Sequence, residues 1–179
     1  MIGVLVSGTG TNLQALIDAG LPVVAVASNR RDVYALLRAR EAGLPAASFA
    51  LDCHADRAER DLMMATWLEE HGVELVVLAG YMHLLTKPFL DRFPERIVNV
   101  HPSLLPAFPG AHAIHDALAA EVETTGVTVH LVDEGLDTGR VLVQEELALE
   151  PRATLVDRVH ALEHRLLPQV VADLCAGVR

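Results

Sequence analysis

A chain of 179 residues with 14 Lys+Arg against 24 Asp+Glu carries a formal charge of −10, which opposes attraction to a nucleic-acid backbone and sets polyanions aside as general partners. The length suits one domain, taken as residues 1–179, and the 51% hydrophobic fraction with only 4% aromatics, built on Ala, Val and Leu, suits a parallel sheet covered by helices. Cys53 and Cys175 stand far apart and in no metal or disulfide pattern, and no apolar run is long enough to span a membrane.

Met1 leads directly into Ile2-Gly3-Val4-Leu5-Val6 with no basic n-region, so the expectation is a cytoplasmic chain without a signal peptide. That apolar run stops at Ser7-Gly8-Thr9-Gly10-Thr11-Asn12, after which Leu13, Leu16 and Ile17 recur at helical spacing, giving strand, tight loop and helix. Thr11 or Asn12 is expected to cap the helix, and its free N–H groups suit an anion such as a phosphate. Gly8-Thr9-Gly10 is neither a Walker sequence nor a complete dinucleotide fingerprint, so a plain strand-to-helix turn is the competing reading.

A second strand is expected over Leu21 to Ala27, a helix over Val33 to Ala42 closed by Gly43, and a short third strand over Pro45 to Phe49. Asp56 to His71 reads as an amphipathic helix with Leu62, Met63, Thr66, Trp67 and Leu68 on its apolar side. The continuous apolar run Glu74 to Ala79 suits a buried central strand. Gly80 to Leu85 follows as a turn, then a short helix near Pro88 to Phe93. In an open α/β sheet ligands collect at the carboxyl ends of strands, which makes this turn a binding candidate, although core packing is the commoner role for Met82, Leu84 and Leu85 taken singly.

Ile97-Val98-Asn99-Val100-His101-Pro102 reads as a buried strand breaking into a loop pinned by Pro102, Pro106 and Pro109. Alternation turns Asn99 and His101 to one side. A helix is expected over Ile114 to Val122, strands over Gly126 to Val132 and Arg140 to Leu147, and a final helix over Leu155 to Leu174. The fold class is therefore α/β: an open, mainly parallel twisted sheet with helices on both faces and an antiparallel C-terminal strand addition.

Asn99, His101 and Asp137 carry the most chemistry. An amide donates to a developing oxyanion, an imidazole exchanges protons near neutrality, and a carboxylate orients the imidazole or collects a proton, which together suit attack of an amine on a carbonyl. Singly, each has a structural role open to it, as a turn former, a packed histidine or a turn aspartate; their combination with the glycine loop favours chemistry. His160 and His164 share a helix face, but the run His-Ala-Leu-Glu-His lacks the metalloprotease glutamate, and no metal site is expected.

Ser7-Gly8-Thr9-Gly10-Thr11-Asn12-Leu13, Leu78-Ala79-Gly80-Tyr81-Met82, Asn99-Val100-His101-Pro102-Ser103-Leu104-Leu105-Pro106, Gly126-Val127-Thr128-Val129-His130 and Leu136-Asp137-Thr138-Gly139 together closely resemble the phosphoribosylglycinamide formyltransferases. The resemblance runs over nearly the whole chain. It implies the formyltransferase fold with a Rossmann-like N-terminal half, and transfer of the formyl group of 10-formyltetrahydrofolate, a co-substrate, to the amine of glycinamide ribonucleotide in purine biosynthesis. It implies Asn99 as the oxyanion donor, His101 as the catalytic histidine and Asp137 as its partner. Gly10, Thr11, Asn12 and Leu13 match the ribonucleotide loop, with Glu163 near the glycinamide end. Met82, His83, Leu84, Leu85, His130, Val132 and Leu136 match the folate pocket. Small molecules are then the expected partners, with neither nucleic acid nor membrane, in a monomer or homodimer.

Two positions depart from the pattern. His83 stands where members of the family carry an arginine, so affinity for a polyglutamylated folate is expected to be weaker or more pH-dependent, and Ala107 replaces a basic residue. Alternatives are a 10-formyltetrahydrofolate hydrolase, another small-molecule N-formyltransferase, and a noncatalytic folate- or nucleotide-binding protein.

Overall fold

The computed structural model describes residues 1–177. Among the described residues seven strands lie in the order Ala46–Ser48, Val23–Ser28, Ile2–Val6, Leu75–Leu78, Ile97–His101, Thr124–Leu131 and Val141–Ala148, and the chain packs as two compact units, Met1–Val98 and the part from Asn99 onward.

In the first unit, β1 (Ile2–Val6), α1 (Thr11–Asp18), β2 (Val23–Ser28), α2 (Tyr34–Glu41), β3 (Ala46–Ser48), α3 (Arg57–Glu70), β4 (Leu75–Leu78) and α4 (Lys87–Leu90) follow in order. Strand β1 pairs in parallel with both β2 and β4, and β2 with β3. Flanked on both sides, β1 is buried along its whole length, which is why its sequence is continuously apolar rather than alternating. Each aliphatic side chain buried there contributes about 1.5–3 kcal/mol.

Two local features differ from expectation. Neither Thr11 nor Asn12 caps α1; the cap position is Gly10, in the left-handed region at φ 76°, and no side chain caps the helix. The reason lies in packing, because a Cβ on Gly10 would meet the Cβ of Ala35 on α2 at 2.6 Å. The apolar side of α3 also differs from the expected one. Its buried residues are Arg60, Asp61, Met64, Ala65 and Leu68, whereas Leu62 and Met63 are exposed, because a buried Arg60–Asp61 ion pair occupies two positions of the inward stripe.

The strand β5 (Ile97–His101) leads into the second unit, with α5 (Ala113–Ala119), β6 (Thr124–Leu131), β7 (Val141–Ala148) and α6 (Leu155–Cys175). The hairpin β6–β7 is antiparallel and pairs Thr128 with Gln144. Strand β6 is buried on nearly every residue while β7 is only partly covered, in keeping with an inner and an edge strand. Among the described residues no helix is long and apolar enough to cross a membrane.

Candidate active site

Within the second unit, the side chains of Asn99 and His101 meet one carboxylate. Nδ1 of His101 lies 3.5 Å from Oδ2 of Asp137, and the Asn99 amide donates to Oδ1 at 3.4 Å. The two residues stand two apart on β5, so the alternation of side chains along a strand is what brings them together. Oδ2 also accepts the Gly110 N–H at 2.7 Å. His130 is a fourth neighbour, with Nε2 3.6 Å from Oδ1 of Asp137 and 3.2 Å from the Asn99 amide nitrogen.

Carbonyl groups assign the protons on both rings. Nε2–H of His101 donates to the Phe108 carbonyl at 2.8 Å, leaving Nδ1 turned to Asp137. Nδ1–H of His130 donates to the Leu131 carbonyl at 2.8 Å, which turns its Nε2 toward both the Asn99 amide and Oδ1 of Asp137. A proton arriving at Nδ1 of His101 would therefore face an anion. Burial alone would raise the Asp137 carboxyl, but the His130 ring, the Gly110 N–H and the His101 ring outweigh it and hold the group below its ordinary value. Asp137 is thus an anion across the neutral range.

The loop from Pro102 to Gly110 supplies two of these contacts and is itself tied down. The Thr128 hydroxyl donates to the Ser103 carbonyl at 2.6 Å and accepts the Leu105 N–H at 3.1 Å. Gln144 donates to the Leu105 carbonyl at 2.7 Å and to the Thr128 hydroxyl at 2.9 Å. The Ser103 hydroxyl donates to the Ala107 carbonyl. Phe108 and Asp137 both hold left-handed backbone, at φ 53° and 54°, a conformation that costs a non-glycine residue about 1–2 kcal/mol. The Asp137 loop is constrained at its end as well, since a Cβ on Gly139 would come within 1.8 Å of the Leu131 carbonyl oxygen.

Sequence reasoning placed His130 only among folate contacts, whereas it packs beside Asn99 and Asp137; the alternation of Thr128 and His130 on one strand was the available signal. The Phe108 carbonyl, the Gly110 amide and the Thr128–Gln144 tie were missed, because backbone groups and strand register leave no mark in residue types. Leu136 is exposed, Val132 is half-buried and Glu163 is buried on α6.

Within the first unit, the glycine loop is braced from α2. The Ala35 N–H donates to the Gly8 carbonyl at 3.1 Å, and Arg38 donates to the Thr9 carbonyl at 2.9 Å and to Gln14 at 3.1 Å. Thr11 is half-buried and Asn12 buried. Leu13 is fully buried, so only its backbone can face a ligand. With no side chain capping α1, its first-turn N–H groups suit an anion.

The loop after β4 is held at its start by the Ser7 hydroxyl, which accepts the Met82 N–H at 2.9 Å and donates to Asn29 at 2.6 Å. Leu85 is buried, but Met82 and Leu84 are 56% and 50% exposed. Core packing therefore accounts for Leu85 alone. His83 is half-buried, and its Nδ1 accepts from Arg60 at 2.9 Å.

Among the described residues, no group of three or more His, Cys, Asp or Glu is arranged to hold a metal. The His160 and His164 rings stack 6.3 Å apart.

A family model described as formyl transferase matches residues 1–171. A phosphoribosylglycinamide formyltransferase of Mycobacterium tuberculosis is 43% identical over 179 residues, covering 96% of this chain and 83% of that protein. A trifunctional purine biosynthetic protein adenosine-3 of Drosophila melanogaster is 42% identical over 187 residues, and there the chain spans only 14% of the relative's length. The crystal structure of glycinamide ribonucleotide transformylase 1 from Symbiobacterium toebii superposes with a TM-score of 0.95 at 42% identity, covering 98% of this chain and 87% of that one. The chain belongs to the formyl transferase family and, within it, to the phosphoribosylglycinamide formyltransferases.

Proposed function

We propose that the chain acts as one formyltransferase domain that moves the formyl group of 10-formyltetrahydrofolate to the amine of 5-phosphoribosylglycinamide, a step of purine biosynthesis. The observation that carries this reading is the single carboxylate of Asp137 shared by His101, His130 and Asn99. When the amine attacks the formyl carbon, a C–N bond forms, negative charge develops on the formyl oxygen and positive charge on the nitrogen. The Asn99 amide answers the first need. Its 3.4 Å contact with Asp137 is long and weak, and an oxyanion would displace it while the 3.2 Å contact with His130 stays.

Asp137 with His101 answers the second need. The ammonium proton passes toward the anionic carboxylate and the Nδ1 that faces it. Collapse of the tetrahedral intermediate then breaks the bond to the folate nitrogen, which takes up a proton as it leaves. His130 orients the Asn99 amide.

Gly10, Thr11, Asn12 and the backbone of Leu13 hold the ribonucleotide phosphate, with Glu163 toward the glycinamide end. Met82, His83, Leu84 and Leu85, together with Val132 and Leu136, contact the folate. The exposed apolar side chains at 82, 84 and 136 support that assignment, since a flat heterocycle needs apolar surface to rest on. No metal takes part in the scheme. The chain works on small molecules in the cytoplasm, as a monomer or homodimer.

The test is folate turnover by the purified protein with and without the ribonucleotide. Turnover that requires the ribonucleotide is expected. Formate release without it would indicate a hydrolase, and binding without turnover a carrier.

A further inference from the structure

Arg60 and Asp61 are adjacent on α3, both wholly buried, and paired. Neighbours one apart on a helix do not normally face each other, so this contact takes two consecutive positions out of the apolar stripe. A buried ion pair is poor evidence of stability, because the cost of removing both charges from water rivals their attraction. Its use must be sought in what else the two groups touch.

Both of them touch the loop after β4. Nε and Nη2 of Arg60 converge on Oδ1 of Asp61 at 2.9 and 2.6 Å, while Nη1 reaches Nδ1 of His83 at 2.9 Å. The other carboxylate oxygen of Asp61 accepts the Thr86 N–H at 2.9 Å. One turn earlier, Arg57 donates to the Leu84 carbonyl. With Ser7 on the Met82 N–H, the segment 82–86 is anchored at four of its five residues while Met82 and Leu84 stay exposed. Because a guanidinium only donates, Nδ1 of His83 bears no proton, and the ring presents an N–H at Nε2.

We propose that the Arg60–Asp61 pair, with Arg57, is a positioning device that holds segment 82–86 in the shape that receives the formyl donor. This rests on the reading above that Met82 to Leu85 contact that donor. A loop fixed through its backbone and through one ring keeps its apolar side chains presented without burying them. Binding then costs less ordering. None of these residues touches the reacting atoms, so the device governs donor affinity and leaves the chemical step alone.

The test is the double substitution Arg60→Met with Asp61→Leu, which replaces the ion pair by apolar groups of similar size. If the loop then holds its shape about a tenth of the time, the KM for 10-formyltetrahydrofolate rises about tenfold. The ribonucleotide KM and kcat at saturating donor stay within about twofold. A merely structural pair would instead shift both KM values together, which overturns the proposal, as does a donor KM within about twofold of the wild type.

Calorimetric titration with tetrahydrofolate gives the same comparison without turnover. Wild-type protein that binds the folate but transfers no formyl overturns the catalytic reading and leaves the loop test intact. Should the double variant fail to fold, Arg57→Met on the exposed side of α3 decides: a donor KM raised about threefold supports the device, and an unchanged one overturns it.

Discussion

Nδ1 of His101 faces Oδ2 of Asp137 across 3.5 Å while the opposite nitrogen of the ring is bound to the Phe108 carbonyl at 2.8 Å. The imidazole is therefore held by the Phe108 carbonyl at one end, and the carboxylate decides what its free nitrogen meets. Replacing Asp137 by Asn keeps the shape and removes the anion. A loss in kcat of about 10²–10⁴ is expected, with both KM values near normal. Steady-state kinetics against each substrate checks this, and a loss below tenfold would remove Asp137 from the proton path.

Gln144 supports that arrangement from a distance. Its amide donates to the Leu105 carbonyl and to the Thr128 hydroxyl, which hold the loop carrying Phe108 and Gly110. Gln144→Leu leaves those acceptors one bond short, at a cost of about 1–3 kcal/mol. Denaturant unfolding should show the loss, and kcat should fall more than either KM rises. An unchanged unfolding midpoint would contradict the tie.

The first glycine loop makes a contrast between two neighbours. Gly10 is at φ 76° with Ala35 where its Cβ would stand, whereas nothing lies within 4 Å of the corresponding position on Gly8. Gly10→Ala is expected to destabilise by about 2–4 kcal/mol, from left-handed backbone and overpacking together, and to raise the ribonucleotide KM. Gly8→Ala should unfold at nearly the wild-type denaturant concentration. Equal effects of the two would contradict the packing of α2 on this loop.

Desolvation, with Arg60 and Arg57 behind it, holds the His83 ring below its ordinary 6.5. A depressed value means that the folded loop favours the neutral ring. The advantage is fully present above about pH 6.5 and is lost as pH falls through the lower folded value. Protonation at Nδ1 must break the bond from Arg60, so the KM for the formyl donor should rise as pH drops below 6.5. His83→Asn offers Arg60 an acceptor that does not titrate, and its donor KM should vary less over that range. Parallel pH profiles would set His83 aside as the source.

The apolar runs of β1 and β4 and the two-residue spacing of Asn99 and His101 were legible in the sequence, because burial on both faces and strand alternation leave direct marks on residue types. Asp137 was legible as a loop carboxylate beside glycines. The inward face of α3 was not, since Arg60 and Asp61 are charged residues whose burial depends on contacts up to 25 positions away. The Gly10 cap was hidden for a similar reason: Ala35 settles it, and nothing local names Ala35 as the neighbour. The contact of His130 with Asn99 was not legible, because the register that sets the two side by side belongs to the assembled second unit.

The most direct measurement follows the carbon itself. Protein supplied with 10-formyltetrahydrofolate labelled at the formyl carbon, together with glycinamide ribonucleotide, should place the label in the amide of the ribonucleotide product in step with tetrahydrofolate release. His101→Ala should slow that transfer by roughly 10²–10⁴ while ribonucleotide binding persists. Label appearing as free formate whether or not ribonucleotide is present, or transfer at the wild-type rate in His101→Ala, would contradict the assignment.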